Sequence, residues 1–447
     1  MTTLWQFGPD RLVIGLLLAA TQVSAAGPAI PQYDPQLHLG VATCAGSACH
    51  GATRPFQDST VDQNEFVIWH QQDKHSSAYK VLLDERATRI AKNLGLESAH
   101  TARICLDCHA DNVPASQRGK RFQLSDGVGC EACHGGAEHW LGGHVSGKNT
   151  HQDNIEAGMY PTDEPASRGT LCLSCHLGNK DRFVTHRIMG AGHPRLSFEL
   201  DTFTAIEPAH FTVDEDYIAR KHKPNNTQVW ALGQVMAVEL FLDTLIQYDH
   251  DQAGMFPELS FFDCHACHHS MKEPRWSPRE TSGLPPGTVR LNDANIVILA
   301  SLLRTHWPSA ATELKSMNRN LHTATKQGMA SARAAAEQMR SALPNISTQL
   351  RGHEFTAADS RKIALALIDD GLKGEMSDYG GAEQCAMALS ATLSTLEAAG
   401  NIHQDSLKQV TSALDAIYLS LEDEDTYRPE QFLVALSEYR IAFTDNR

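Results

Sequence analysis

Cysteine and histidine recur in one order along this 447-residue chain. Cys105, Cys108 and His109 stand as CLDCH, and Cys130, Cys133 and His134 as CEACH. Cys172, Cys175 and His176 stand as CLSCH, and Cys264, Cys267 and His268 as CHACH. A stretched form, CAGSACH, holds Cys44, Cys49 and His50. Two thiols one helical turn apart can add across the two vinyl groups of one porphyrin. The adjacent imidazole is then held under the iron as an axial ligand. Random order of 11 Cys and 23 His in this length gives about 0.014 C-x-x-C-H motifs. Four are present, and ten of the eleven cysteines lie in the five motifs, leaving only Cys385. Zinc sites do not repeatedly set a His directly after the second Cys. The pattern therefore predicts five covalently attached haems c, the first through C-x-x-x-x-C-H.

Five irons with one ligand each need histidines from elsewhere. His75 sits in IWHQQDKHSSAYKVL beside small residues that leave room for a porphyrin edge. His144 follows CEACHGG, and the Gly135-Gly136 and Gly142-Gly143 pairs permit close approach to a flat macrocycle. His186 and His193 follow CLSCH, and Pro194 stiffens His193. His210 lies between Ala209 and Phe211. These five are the predicted second ligands. His139, His265 and His269 rank lower, and His151 and His222 are expected to be solvated. Arg118, Lys120 and Arg121 are candidates for propionate contact.

The elements around these residues are predicted to be mainly α. Residues 1–25 read as a secretory signal peptide, with Arg11 before the apolar run Leu12–Ala20 and small residues at Val23-Ser24-Ala25. Residues 26–290 read as a multihaem cytochrome c domain in which the haems form much of the core. Residues 291–447 read as an antiparallel helical bundle. Its helices are expected at Ile296–Trp307, Ala310–Leu343, Ala357–Leu372, Gly381–Ala399, Leu407–Leu421 and Glu430–Phe443. Asp405 and Ser406 are expected to cap the fifth, and Cys385 to be a small buried residue. The Pro278, Pro285 and Pro286 stretch reads as a linker. No segment after the leader has 18 consecutive apolar residues, so no membrane span is expected after cleavage.

The stretch from CAGSACHG through IWHQQDKHSSAYKVL, CLDCH, GVGCEACHGG with His144, and CLSCH resembles the cytochrome c-554 family of multihaem cytochromes. More loosely it resembles the cytochrome modules of hydroxylamine oxidoreductases. The resemblance covers about residues 38–200 and implies helical structure and closely stacked haems. It also implies that His75 and His144 supply ligands to haems other than those nearest in sequence. The stretched first motif, the fifth motif and the C-terminal helices depart from the simple tetrahaem pattern.

Net charge is −15, which argues against nucleic acid and anionic membranes and favours a redox partner with a basic docking face. Covalent haem attachment and export together predict a periplasmic protein. Electron transfer between redox partners is the first functional reading. The alternative is an oxidoreductase in which one five-coordinate haem acts on hydroxylamine, nitrite, nitric oxide or a sulfur oxyanion. No C-x-x-C-K motif of the pentahaem nitrite reductases is present. The helical domain could serve docking or homo-oligomer formation.

Overall fold

Short helices carry the motifs, and a long apolar helix joins them to the C-terminal bundle. The computed structural model describes residues 29–445 apart from 58, 60, 222, 249–256, 269–278, 280–281 and 285–287. The expected signal peptide, His222, His269 and the three linker prolines therefore lie outside the described residues. Among the described residues the fold is mainly helical, with two isolated β-bridges and no strand.

The motif-bearing half runs through α1 (Val41–Cys44), α2 (Glu65–Gln72), α3 (Glu85–Leu94), α4 (Arg103–His109), α5 (Cys130–His134) and α6 (Leu141–Ser146). It continues through α7 (His151–Glu156), α8 (Pro165–His176), α9 (His186–Gly190), α10 (Leu200–Ile206) and α11 (Glu215–Arg220). Local chemistry sets several of these boundaries. Asp84 caps α3 by accepting from the Ala87 amide, and Gly95 ends it in the left-handed region. Thr150 and Asp153 form a capping box at α7.

Next comes α12 (Asn226–Gln247), capped by Asn225 and apolar on most sides. Its length and composition would suit a membrane span, but most of it is buried inside the fold. It packs against α8 and α10 on one side. On the other it meets α13 (Ala294–His306), α15 (Met329–Gly352) and α17 (Tyr379–Ala398). Trp230, Val235, Leu242 and Leu245 are almost wholly buried there. One apolar core thus runs across residue 290 rather than stopping at it.

The bundle is completed by α14 (Pro308–Thr325), α16 (Ala357–Leu372), α18 (Gln404–Leu419) and α19 (Pro429–Asp445). The single helix expected over 310–343 is two helices. Gly328, at φ +110°, breaks the chain between α14 and α15. The expected end was Leu343, yet α15 runs through Pro344 to Gly352. Burial of Ile346 and Leu350 offsets the hydrogen bond that proline removes. Helix α18 begins at Gln404 with His403 at the cap position, two residues before the expected cap Asp405.

Buried and half-buried ions fasten the two halves together. Arg195, between α9 and α10, bonds Glu424 at 3.0 Å and Glu383 at 3.1 Å. Arg290 bonds Asp263, the residue before Cys264, at 2.9 Å, and Arg279 pairs with Asp293 and Asp378. Such pairs hold position when every partner is present; removing one leaves a buried charge uncompensated.

Candidate haem centres

The motif residues are placed by a repeated local device. In α4, α5 and α8 the helix ends on the motif histidine, so both thiols and the imidazole share one face. In the fifth motif a 3₁₀ turn over Cys264–Ala266 does the same, and the His268 amide donates to the Cys264 carbonyl at 2.8 Å. The stretched first motif recovers this closure with two more residues. The His50 amide donates to the Cys44 carbonyl at 3.2 Å, and the Cys49 amide to Gly46 at 2.8 Å. Gly51 is needed behind it, because a Cβ there would lie 2.1 Å from the Ala45 carbonyl oxygen.

Each motif histidine has a second imidazole opposite it. The ring centroids of His50 and His144 are 5.9 Å apart, and those of His176 and His75 are 6.0 Å apart. His134 faces His210 at 6.2 Å, and His109 faces His193 at 6.4 Å. His268 faces His186 at 6.2 Å. Two metal–nitrogen bonds of about 2 Å plus two ring radii of about 1 Å require a separation of about 6 Å. The spacing therefore fits one iron between each pair. All five pairs are distant in sequence, and none joins a motif to its nearest downstream histidine.

Hydrogen bonds at Nδ1 leave Nε2 for the metal. His75 Nδ1 pairs with Asp73 at 2.9 Å, and His50 Nδ1 with Glu65 at 2.9 Å. His109 Nδ1 donates to the Ala78 carbonyl at 3.0 Å, and His193 Nδ1 to that of Pro194 at 2.8 Å. Such outer partners fix ring orientation and raise ligand basicity. Hydrogen bonding to Glu65 and Asp73 raises the pKa of His50 and His75 respectively. Burial pushes His134 down to about 3 and His176 down to about 4, so both are neutral imidazoles at neutral pH. Neutral imidazole is the metal-binding form.

The variable positions inside the motifs tie the centres to one another. Glu131 of CEACH accepts from the Leu39, Gly40 and Ala137 amides at 2.6–2.8 Å. It thereby fixes the third motif to the segment entering the first. Buried Arg182 donates to Ser174 of CLSCH at 2.6 Å and also to the Asp107 carbonyl of CLDCH. The Cys44 and Cys130 thiols adjoin, as do those of Cys108 and Cys175.

Other sequence candidates take different roles. His151 is half-buried and bonded to Asp163 at 3.1 Å, where a solvated loop residue was expected. His265 Nε2 meets the Glu424 carbonyl at 3.0 Å, and its ring packs against Tyr379 and Tyr427. His139 lies exposed beside Glu138. Arg118 bonds the Val113 carbonyl and Asn112 within its own loop. The Gly135-Gly136 pair meets protein backbone: Cβ atoms there would lie 2.9 Å from the Gly158 oxygen and 2.8 Å from the Leu37 oxygen.

The sequence reading missed Glu65, Asp73 and the buried pair His38–Asp111, whose Nδ1···O distance is 2.7 Å. Asp73 had a signal, standing two residues before a candidate ligand. Glu65 and His38 had none, since their partners are fifteen or more residues away.

No curated protein matches the chain, and no solved structure does. Residues 43–135 match the sequence model of the family described as cytochrome c554 and c-prime. That span holds the first three motifs, His75, and the Glu65 and Asp73 partners. Over that span the chain is similar to the cytochrome c554 family of multihaem c-type cytochromes, which supports a c-type cytochrome that carries covalent haem c and takes part in electron transfer.

Proposed function

We propose that the chain is a five-haem electron relay with every iron between two imidazoles. The pairs are His50 with His144, His109 with His193, His134 with His210, His176 with His75, and His268 with His186. The thioether anchors are Cys44 and Cys49, Cys105 and Cys108, Cys130 and Cys133, Cys172 and Cys175, and Cys264 and Cys267. One observation carries this reading: each of the five motif histidines has another imidazole opposite it at one iron's spacing.

Bound haem supplies reversible one-electron chemistry at iron; the chain supplies its axial nitrogens. Imidazole on both faces leaves no coordination position for a substrate. This favours a relay over an oxidoreductase with a five-coordinate haem. Two nitrogen donors also favour lower potentials than a histidine–methionine pair.

Contacts between motifs support an order along the relay. The first adjoins the third through Cys44 and Cys130, and the second adjoins the fourth through Cys108 and Cys175. Cys133 of the third lies near Cys172 of the fourth. His193 and His186, seven residues apart, bring the second and fifth together. The order is first, third, fourth, second, fifth. We place the protein in the periplasm, where covalent haem attachment occurs. The −15 charge suits a partner with a basic docking face, and the helical domain suits docking or self-association.

The test is the carbon monoxide difference spectrum of the fully reduced protein. The relay gives no spectral change. A change equivalent to one haem in five would expose an open iron and overturn the all-bis-imidazole assignment.

A further inference from the structure

Three bundle helices bring a second, unrelated set of metal-ligating side chains together. His306 is the last residue of α13, His353 directly follows α15, and Asp359 lies in the first turn of α16. One ligand atom from each lies within 4.8 Å of the others. His306 Nε2 is 2.8 Å from Asp359 Oδ1, and His353 Nε2 is 3.6 Å from Asp359 Oδ2. Ligands about 2 Å from one tetrahedral zinc stand roughly 3.3 Å apart, midway between these values.

Four further features favour a cation over a simple hydrogen-bond network. His353 Nε2 is buried without a hydrogen-bond partner, so a lone pair has nowhere else to go. His306 Nδ1 is engaged by Thr305 Oγ1 at 2.6 Å, which turns Nε2 toward the cluster. Asp359 Oδ2 is held by the Thr356 amide at 3.0 Å and hydroxyl at 2.7 Å, which fixes the carboxylate while Oδ1 faces His306. Trp307 and Phe355 pack edge-on against the His353 ring and keep that side dry. The opposing feature is Lys362, whose Nζ lies 3.7 Å from Oδ1; its side chain is mostly exposed and free to swing away.

We propose that His306, His353 and Asp359 bind one divalent transition metal of the zinc class. Two imidazoles and a carboxylate suit such borderline ions, and three protein ligands leave a fourth position for water. Bound there, the ion would pin the ends of α13 and α15 to the start of α16.

The test uses the full-length haem-loaded protein. It is equilibrated with zinc ion alone, passed over a desalting column, and its retained zinc is counted by mass spectrometry. Wild type should retain one zinc per chain more than either His353→Ala or His306→Gln. Zinc should also raise the wild-type melting temperature, reversibly with EDTA, and leave that of the variants unmoved. Retention of the same zinc by wild type and both variants, or of none by wild type, overturns the site. The haem absorbance of each variant reports its folding, and the two substitutions guard against one that fails to fold.

Discussion

On the bis-imidazole reading proposed above, a single histidine closes the second motif's iron. His193 sits on a turn after α9, where its ring bonds the Pro194 carbonyl and faces the His109 ring, and its amide donates to the Ile188 carbonyl at 3.3 Å. Replacing it with alanine removes one axial nitrogen and little packing. His193→Ala should therefore give a carbon monoxide difference spectrum equivalent to one haem, against none for the wild type. A second residue acts through protons. Burial first, and then neighbouring Glu199, push the Asp201 carboxyl up to about 7. In the unfolded chain an aspartate titrates near 3.9. Between these values the folded state holds a proton that the unfolded state has lost, so stability falls as pH rises from about 4 to about 7 and then levels. Asp201→Asn should flatten that decline and stabilise the protein at pH 8 by on the order of 2 kcal/mol, read by urea unfolding at pH 4.5 and pH 8. At this scale much was legible. Attachment chemistry forces Cys and His into a fixed order, and neighbouring small, glycine and proline residues helped single out five candidate ring partners among 23 histidines. Glu131 and Arg182 were not legible, because their partners are set by the packing of distant turns.

At the scale of elements, α12 is the part both halves need. Leu242 is wholly buried in it, among bundle side chains, while the same helix packs against α8, which ends in the fourth motif. Leu242→Ala should cost about 2–5 kcal/mol. The haem absorbance and the far-ultraviolet dichroism should shift together in a thermal melt, because that helix lends buried side chains to both halves. Periodicity located the bundle helices well: α16 spans Ala357–Leu372, as its apolar spacing predicts. It failed at Gly328, where good helix formers on both sides concealed the break, and at Pro344, where tertiary burial outweighed local preference. The partnership of α12 was also hidden. An all-apolar helix says that it is buried, but not against which neighbours.

Across the whole molecule, the facing rings follow a rule of order. Reading along the chain, His50, His75, His109 and His134 come first; His144, His176, His193 and His210 follow, each opposite its counterpart in the same sequence. Every one of these loops crosses the other three, like fingers of two hands laid together rather than beads on a string. No cut between His134 and His144 leaves a complete pair on either side of these four. The family-matched stretch, residues 43–135, contains four first members and no second one. Its likeness to relatives thus marks half of a clasp. A fragment ending there could carry cysteines and still close no iron, so the molecule has to be finished before any one of these four centres is.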